Sequence, residues 1–316
     1  MTATMPEEKR RLLPARLSRP ARVPRPARPA GTARAAPPPA QGAPAVLSTC
    51  FAMVALICLW TAAQLLVLGG LAHERTQDLL YREFRTQLAG ATAPIGPVVP
   101  VGDPVAVLTV PRLGLQEVVV EGTASGDTLA GPGHLRNTVL PGQEGTSVLM
   151  GRAATYGGPF GDLAALSPGD RFTVVVAQGT VRFTVIGVRH AGDPLPAPRE
   201  PGRARLTLVT AEGAGRLSAL TPDTALFVDA ETKKALAAPP GLPAVVPDSE
   251  LTMATDPAAI PLLTLYLALL LALTLGVVAA RQRWSAALVW VVAAPVALAL
   301  SWQTTDVVMR LLPNLI

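Results

Sequence analysis

Two positions decide what covalent chemistry this chain can perform. The alternating run 206–210 is built to present one side chain at its end, and the residue standing there is Ala211. Upstream, a short apolar segment over 146–150 leads into Gly151-Arg152-Ala153. Covalent acyl transfer needs an atom whose lone pair can be freed of a proton, and a second group to move that proton. A methyl group has no lone pair, and a guanidinium keeps its proton at any physiological pH. The hydroxyls of Thr155, Tyr156 and Thr210 stand near the same positions, although period two along a strand turns Thr210 away from the face of Ala211. Of the three histidines, His73 is juxtamembrane, His134 sits in the GPGH segment, and His190 is the one placed to approach such a cleft. No His, Cys and acidic cluster has metal-ligand spacing. No glycine loop is built to cradle a phosphate, since Gly157-Gly158-Pro159 reads as a turn. No cofactor or metal is therefore expected.

The elements that must position these residues begin with a membrane anchor. Half of the residues are hydrophobic and the formal net charge is +5. Residues 1–45 hold nine basic residues against Glu7 and Glu8, an excess of seven, so the remainder is net −2. The charge thus belongs to a Pro/Arg-rich tail that cannot bury a core and reads as disordered. Nucleic acid is not an expected partner, because no aromatic or fold signal accompanies the charge. Anionic membrane lipids are the weak partner it implies.

The stretch 46–72 carries no charge and is long enough to span a bilayer as an uncleaved anchor. Cys50 and Cys58 lie inside it as packing residues. Two further spans are expected at 260–280 and 284–302, joined by Arg281-Gln282-Arg283 as a helical hairpin. Pro261 suits a first helical turn, and Pro295 predicts a kink in the last span. The positive-inside rule puts the basic tail and the 281–283 turn in the cytoplasm. Residues 73–259 and the C-terminus, 303–316, then lie outside. Both constraints give the same orientation.

Between the spans, 73–96 reads as a helical stalk with a Pro/Gly linker. From Val105 the texture changes to short strands between turns, at 105–110, 117–121, 146–150, 172–177, 181–188, 206–210 and 225–228. Residues 178–180 form a hairpin turn. Short strands with Gly/Pro punctuation and no helical period argue a mainly β domain, a closed barrel or sandwich. A linker, 232–259, returns the chain to the membrane.

The pieces LTVPRLGL, VVVEGT, GPGHLRNTVLPGQEGTSVLMG, TYGGPFGDLAALSPGD, a strand hairpin and LTLVT follow one another in that order. Residues 97–231 thereby resemble a sortase domain, the eight-stranded barrel of Gram-positive cell-surface transpeptidases. The resemblance implies a mainly β fold: a sortase-like closed eight-stranded β-barrel outside the membrane, plus three transmembrane α-helices. It also implies a cleft that takes an extended sorting signal, cut between Thr and Gly through a thioacyl intermediate and passed to an amine. The family's histidine run falls on Gly151-Arg152-Ala153, so Arg152 stands at its histidine. The family's cysteine falls on Ala211. The family's arginine has Arg216 as its nearest counterpart.

With Ala211 and Arg152 at those positions, no catalytic residue is intact while the frame around them is. The expectation is a sortase-like protein, catalytically inactive, that binds a peptide or scaffolds surface-protein assembly. Arg152, Thr155, Tyr156, Thr210 and Arg216 are the candidate binding residues, and an extended peptide or sorting signal is the candidate partner. Two alternatives stay open. One is an enzyme with a displaced or trans-supplied nucleophile; the other is a membrane structural protein with the barrel as spacer.

Overall fold

The computed structural model describes residues 43–64, 68–213 and 224–316. Eight strands close into one barrel: β1 (Pro104–Val110), β2 (Leu115–Glu121), β3 (Gly133–His134), β4 (Gly145–Met150), β5 (Arg171–Val176), β6 (Gly179–His190), β7 (Ala204–Glu212) and β8 (Thr224–Thr232). Their order around the wall is β1-β2-β3-β4-β7-β8-β6-β5. Most neighbours are antiparallel; β2 with β3 and β4 with β7 are parallel. Closure leaves no open edge.

Alternation fixes which side chains fill the barrel. Phe172, Val174 and Val176 of β5 point inward beside Val181, Phe183 and Val185 of β6. The Phe172 and Phe183 rings stack with centroids 5.5 Å apart. On β7, Leu206 and Leu208 join this interior, whereas Val209 and Ala211 belong to a second apolar cluster outside the wall. Strand β3 has only two residues and was not foreseen as a strand; a run so short carries no readable period.

Among the described residues, three helices are long and apolar enough to cross a membrane: α1 (Ala43–Ala63), α3 (Ile260–Arg281) and α4 (Ala286–Leu311). Met53, Val277, Val289, Ala293 and Ala297 pack them together. The next helix is α2 (Gly69–Ala89).

Helix α2 is docked on the barrel and is no free stalk. Phe84 is buried against Val107 and Val118. Strand β2 outruns the two-residue β3, which leaves backbone groups of Val118 without a strand partner. Gln77 supplies it: its Nε2 donates to the Val118 and Ala130 carbonyls at 3.1 and 2.8 Å, and its Oε1 accepts from the Val118 amide at 2.6 Å. Buried main-chain groups must be paired, so this one side chain holds α2 in register with the wall.

Helix α4 ends well beyond the expected Trp302. Its 26 residues extend about 39 Å at 1.5 Å each, more than a hydrocarbon core of about 30 Å. The extra turns, 303–311, carry the polar residues that meet the barrel. Pro295 lies inside α4 without ending it. Pro313, which lacks an amide hydrogen, follows the last turn.

The stacked core makes a first prediction. Phe183→Ala should cost about 3–5 kcal/mol of stability, seen as a lower denaturant midpoint of the full chain in micelles, while the membrane helices keep their far-UV signal.

Candidate functional site

The parallel pairing of β4 with β7 sets Met150 opposite Val209. One more bond, Gly151 amide to Val209 carbonyl at 3.0 Å, carries the pairing past the strand end. Arg152 and Ala211 therefore emerge side by side at the same end of adjacent strands. Gly151 is required there, because a Cβ would lie 2.5 Å from the Phe160 ring. The Phe160 amide in turn donates to the Arg152 carbonyl at 3.0 Å. Between them Tyr156, Gly157 and Gly158 all take positive φ, at 50°, 82° and 52°. A tight left-handed loop of this kind strains a tyrosine and persists only where its surroundings fix it.

Arg152 is wholly buried, at 0 % exposure. Burial lowers its pKa to about 10, so it remains cationic at neutral pH. Such a charge must be met by oxygens. One terminal nitrogen donates to Thr155 Oγ1 at 2.9 Å and to the Ile316 main-chain oxygen at 2.8 Å. The other donates to the Ser125 carbonyl at 2.7 Å and the Ser125 hydroxyl at 2.8 Å. Thr155 Oγ1 also donates to Ile316 O.

The cleft on the outer face of β4 and β7 is filled by the chain's own residues 314–316. Leu315 is buried among Met150, Val209, Ala211 and Ala225. Its carbonyl accepts from the Ala153 amide at 2.9 Å. Asn314 Nδ2 donates to the Thr123 carbonyl at 2.7 Å and the Leu251 carbonyl at 3.0 Å. The Asn314 amide donates to Ala254 O at 3.0 Å, and Thr128 Oγ1 donates to Asn314 O at 3.0 Å. Ala211 thus forms one wall of a leucine pocket.

The other expected residues fall in different places. Thr155 joins the Arg152 cluster. Tyr156 does not bind in the cleft: its hydroxyl donates to Asp306 of α4 at 2.9 Å, because the left-handed loop turns the ring toward the membrane helices. Thr210 does not reach the cleft either. It shares the inward side of β7 with Leu206 and Leu208, and its buried Oγ1 has no hydrogen-bond partner. Arg216 lies outside the described residues. His190 pairs with Glu212 at 2.7 Å, half-exposed, and touches none of the Arg152 partners. His134 is buried on Glu121, with Nδ1 to Oε2 at 2.8 Å, and braces the wall. His73 bonds Glu117 at 3.0 Å, tying α2 to β2.

Sequence reasoning missed Thr123, Ser125 and Thr128, and all of 314–316. No spacing rule links residue 125 to residue 316; an Asn just past a helix-ending Pro313 was the one local sign of a fixed, polar seat.

Beside the cleft, an open cavity of 530 Å³ separates the 124–130 loop from α2 and α4, lined by Gln64, His73, Asp127, Tyr156, Asp306 and Arg310 among others. Burial raises the Asp127 pKa from 3.8 to about 6, against the pull of the Ala124 amide it accepts from. The Tyr156 phenol is also raised, first by burial and then by the Asp306 carboxylate, and stays a neutral donor.

Residues 108–219 match the family model described as Sortase domain. Sortase E from Streptomyces avermitilis is 30 % identical over 42 % of this chain and 89 % of its own, with a TM-score of 0.35. Sortase C-1 from Actinomyces oris is 26 % identical over 49 % of this chain and 97 % of its own, with a TM-score of 0.35. Clostridium perfringens sortase C, solved with the C-terminal cell wall sorting motif, is 20 % identical over 50 % of this chain and 87 % of its own, with a TM-score of 0.36. No curated protein sequence matches the chain. The chain belongs to the sortase family, with a transpeptidase-type barrel and three helices able to span a membrane.

Asp127 gives the second prediction. Its folded pKa of about 6 exceeds the ordinary value of 3.8, so the folded state holds more protons than the unfolded one between those values. Stability must then fall as pH rises through that window and level off above it. Asp127→Asn, which keeps an acceptor for the Ala124 amide, should remove this part of the slope in thermal melts from pH 4 to 7.

Proposed function

We propose that this protein is a membrane-anchored, extracytoplasmic member of the sortase family that holds an extended peptide and does not transfer acyl groups. Ala211 and Arg152 are read as the family's cysteine and histidine positions. The observation that carries the reading is the buried Arg152 guanidinium, which donates to the main-chain oxygen of Ile316 in a short segment whose Leu315 packs against the Ala211 methyl. Main-chain recognition plus one apolar side-chain pocket is how an extended peptide is held. Neither atom pair at this point offers a lone pair to attack a carbonyl or a labile proton to pass on.

The orientation follows from charge. The basic tail and the 281–283 turn belong on the cytoplasmic side, and the barrel belongs outside, as on a Gram-positive cell surface. Helix α4 would then leave the outer leaflet directly beneath the cleft. The peptide partner is a sorting signal or the tail of a surface protein, and the role is scaffolding in cell-surface protein assembly.

The full chain in nanodiscs, given an LPXTG-like peptide and an amine, is expected to yield no product. Sustained turnover by the unaltered protein would overturn the reading in favour of a displaced or trans-supplied nucleophile. Loss of the Arg152 bond to a main-chain oxygen is worth about 1.5–3 kcal/mol. With residues 314–316 removed so that the cleft is free, Arg152→Ala should accordingly weaken peptide binding at least about tenfold, measured by fluorescence anisotropy.

A further inference from the structure

Residues 314–316 are held as a ligand is held. Asn314 directs both hydrogens of its carboxamide at carbonyl oxygens, those of Thr123 and Leu251. An aspartate in that seat would face the same two oxygens with no hydrogen to give, so the seat selects an amide. Leu315 enters a pocket walled by Met150 and Val209 and made roomy by two alanines, Ala211 and Ala225. Ile316 offers the main-chain oxygen taken by Arg152 and Thr155. The amide of Ala153 lies along the same line and meets Leu315 O.

We infer that residues 314–316, which form a turn closed by the Ile316 amide on the Pro313 carbonyl at 3.2 Å, are a tethered occupant of a peptide-binding cleft whose ligand class is a peptide that presents a carboxamide side chain followed by an aliphatic one in such a turn. This rests on the peptide-holding reading above and adds to it which peptide is in place and what a partner must displace.

The tether sets the terms of that competition. Helix α4 ends at Leu311, and its last turn is fastened to the outer domain by Arg310 to Asp256 at 2.7 Å and by Ser125 to the Met309 carbonyl at 2.8 Å. Only Leu312 and Pro313 separate that turn from Asn314. A segment on so short a tether faces its seat at an effective concentration on the order of millimolar or more. A free peptide making the same contacts must exceed that concentration to take the cleft. A partner therefore gains entry by making more contacts than the resident segment, or by drawing α4 away and taking the segment with it. The cleft of the resting protein is closed to weak peptides and open to ones that make further contacts beyond the three seats.

The test uses the full chain in nanodiscs and a fluorescent peptide copying residues 311–316. In Leu315→Asp, a charge in the leucine pocket should expel the resident segment. The Ala153 amide should then exchange quickly with deuterium while amides of β4 and β7 stay protected. The peptide should bind Leu315→Asp at least about a hundredfold tighter than it binds the unaltered protein, the advantage a short tether confers. The same peptide with aspartate in place of its asparagine should bind the variant at least about tenfold more weakly. Equal binding to both proteins, no binding to the variant, or an Ala153 amide that exchanges equally fast in both would overturn the inference. If β7 also loses protection, Asn314→Ala is the milder variant and is judged by the same readings. If this peptide binds the variant and the LPXTG-like peptide does not, the tethered occupant stands and the sorting-signal partner falls.

Discussion

A guanidinium stripped of water must meet oxygens, and the arrangement around Arg152 follows from that need: both terminal nitrogens find them, while the buried Nε has no partner among the described residues. Its side chain is buried just past the end of β4, and its donors gather three separate stretches of chain there: the 122–130 loop through Ser125, the left-handed loop through Thr155, and the segment beyond α4 through Ile316. Burial lowers its pKa yet leaves it cationic, so the demand for oxygens does not lapse at physiological pH. Removing any one partner would leave a charged donor unpaired in a site water does not reach, which is why these stretches are fixed together.

The same cluster joins the barrel to the membrane helices. The loop that offers Ser125 to Arg152 also offers its hydroxyl to Met309 of α4. The loop that offers Thr155 also turns Tyr156 onto Asp306. Gln77 and Phe84 of α2 grip the wall from another side. The barrel is therefore seated on its anchor through polar bonds as well as apolar packing. The cleft lies where the end of α4 delivers the segment that fills it.

Much of the fold was legible in the sequence. Strands β5 and β6 were readable because every second residue is apolar around a short turn, and the three membrane helices because uncharged runs of that length have one economical home. The face of Ala211 was readable from period two, which also turns Thr210 inward. The extent of α4 was not readable. Residues 303–311 are more polar than the rest of the helix, and within them Asp306 finds Tyr156 of the barrel domain and Arg310 finds Asp256 of the segment leading into α3. Tyr156 looked like a cleft residue by its position in the chain and is turned away by three consecutive positive φ angles.

The sequence by itself determined that residue 211 offers a methyl and residue 152 a guanidinium, neither of which can serve as nucleophile or proton carrier wherever it sits. Local patterns determined a mainly β domain of short strands and three long apolar runs, and the resemblance to a known family supplied the closure of the barrel. Only the tertiary structure decided what lies over Ala211. Asn314, Leu315 and Ile316 come from the far end of the chain, and their seats are carbonyls and small side chains of segments remote in sequence. A hydrogen bond between residues 161 or 164 positions apart leaves no trace in spacing, since it is closed by the packing of everything between.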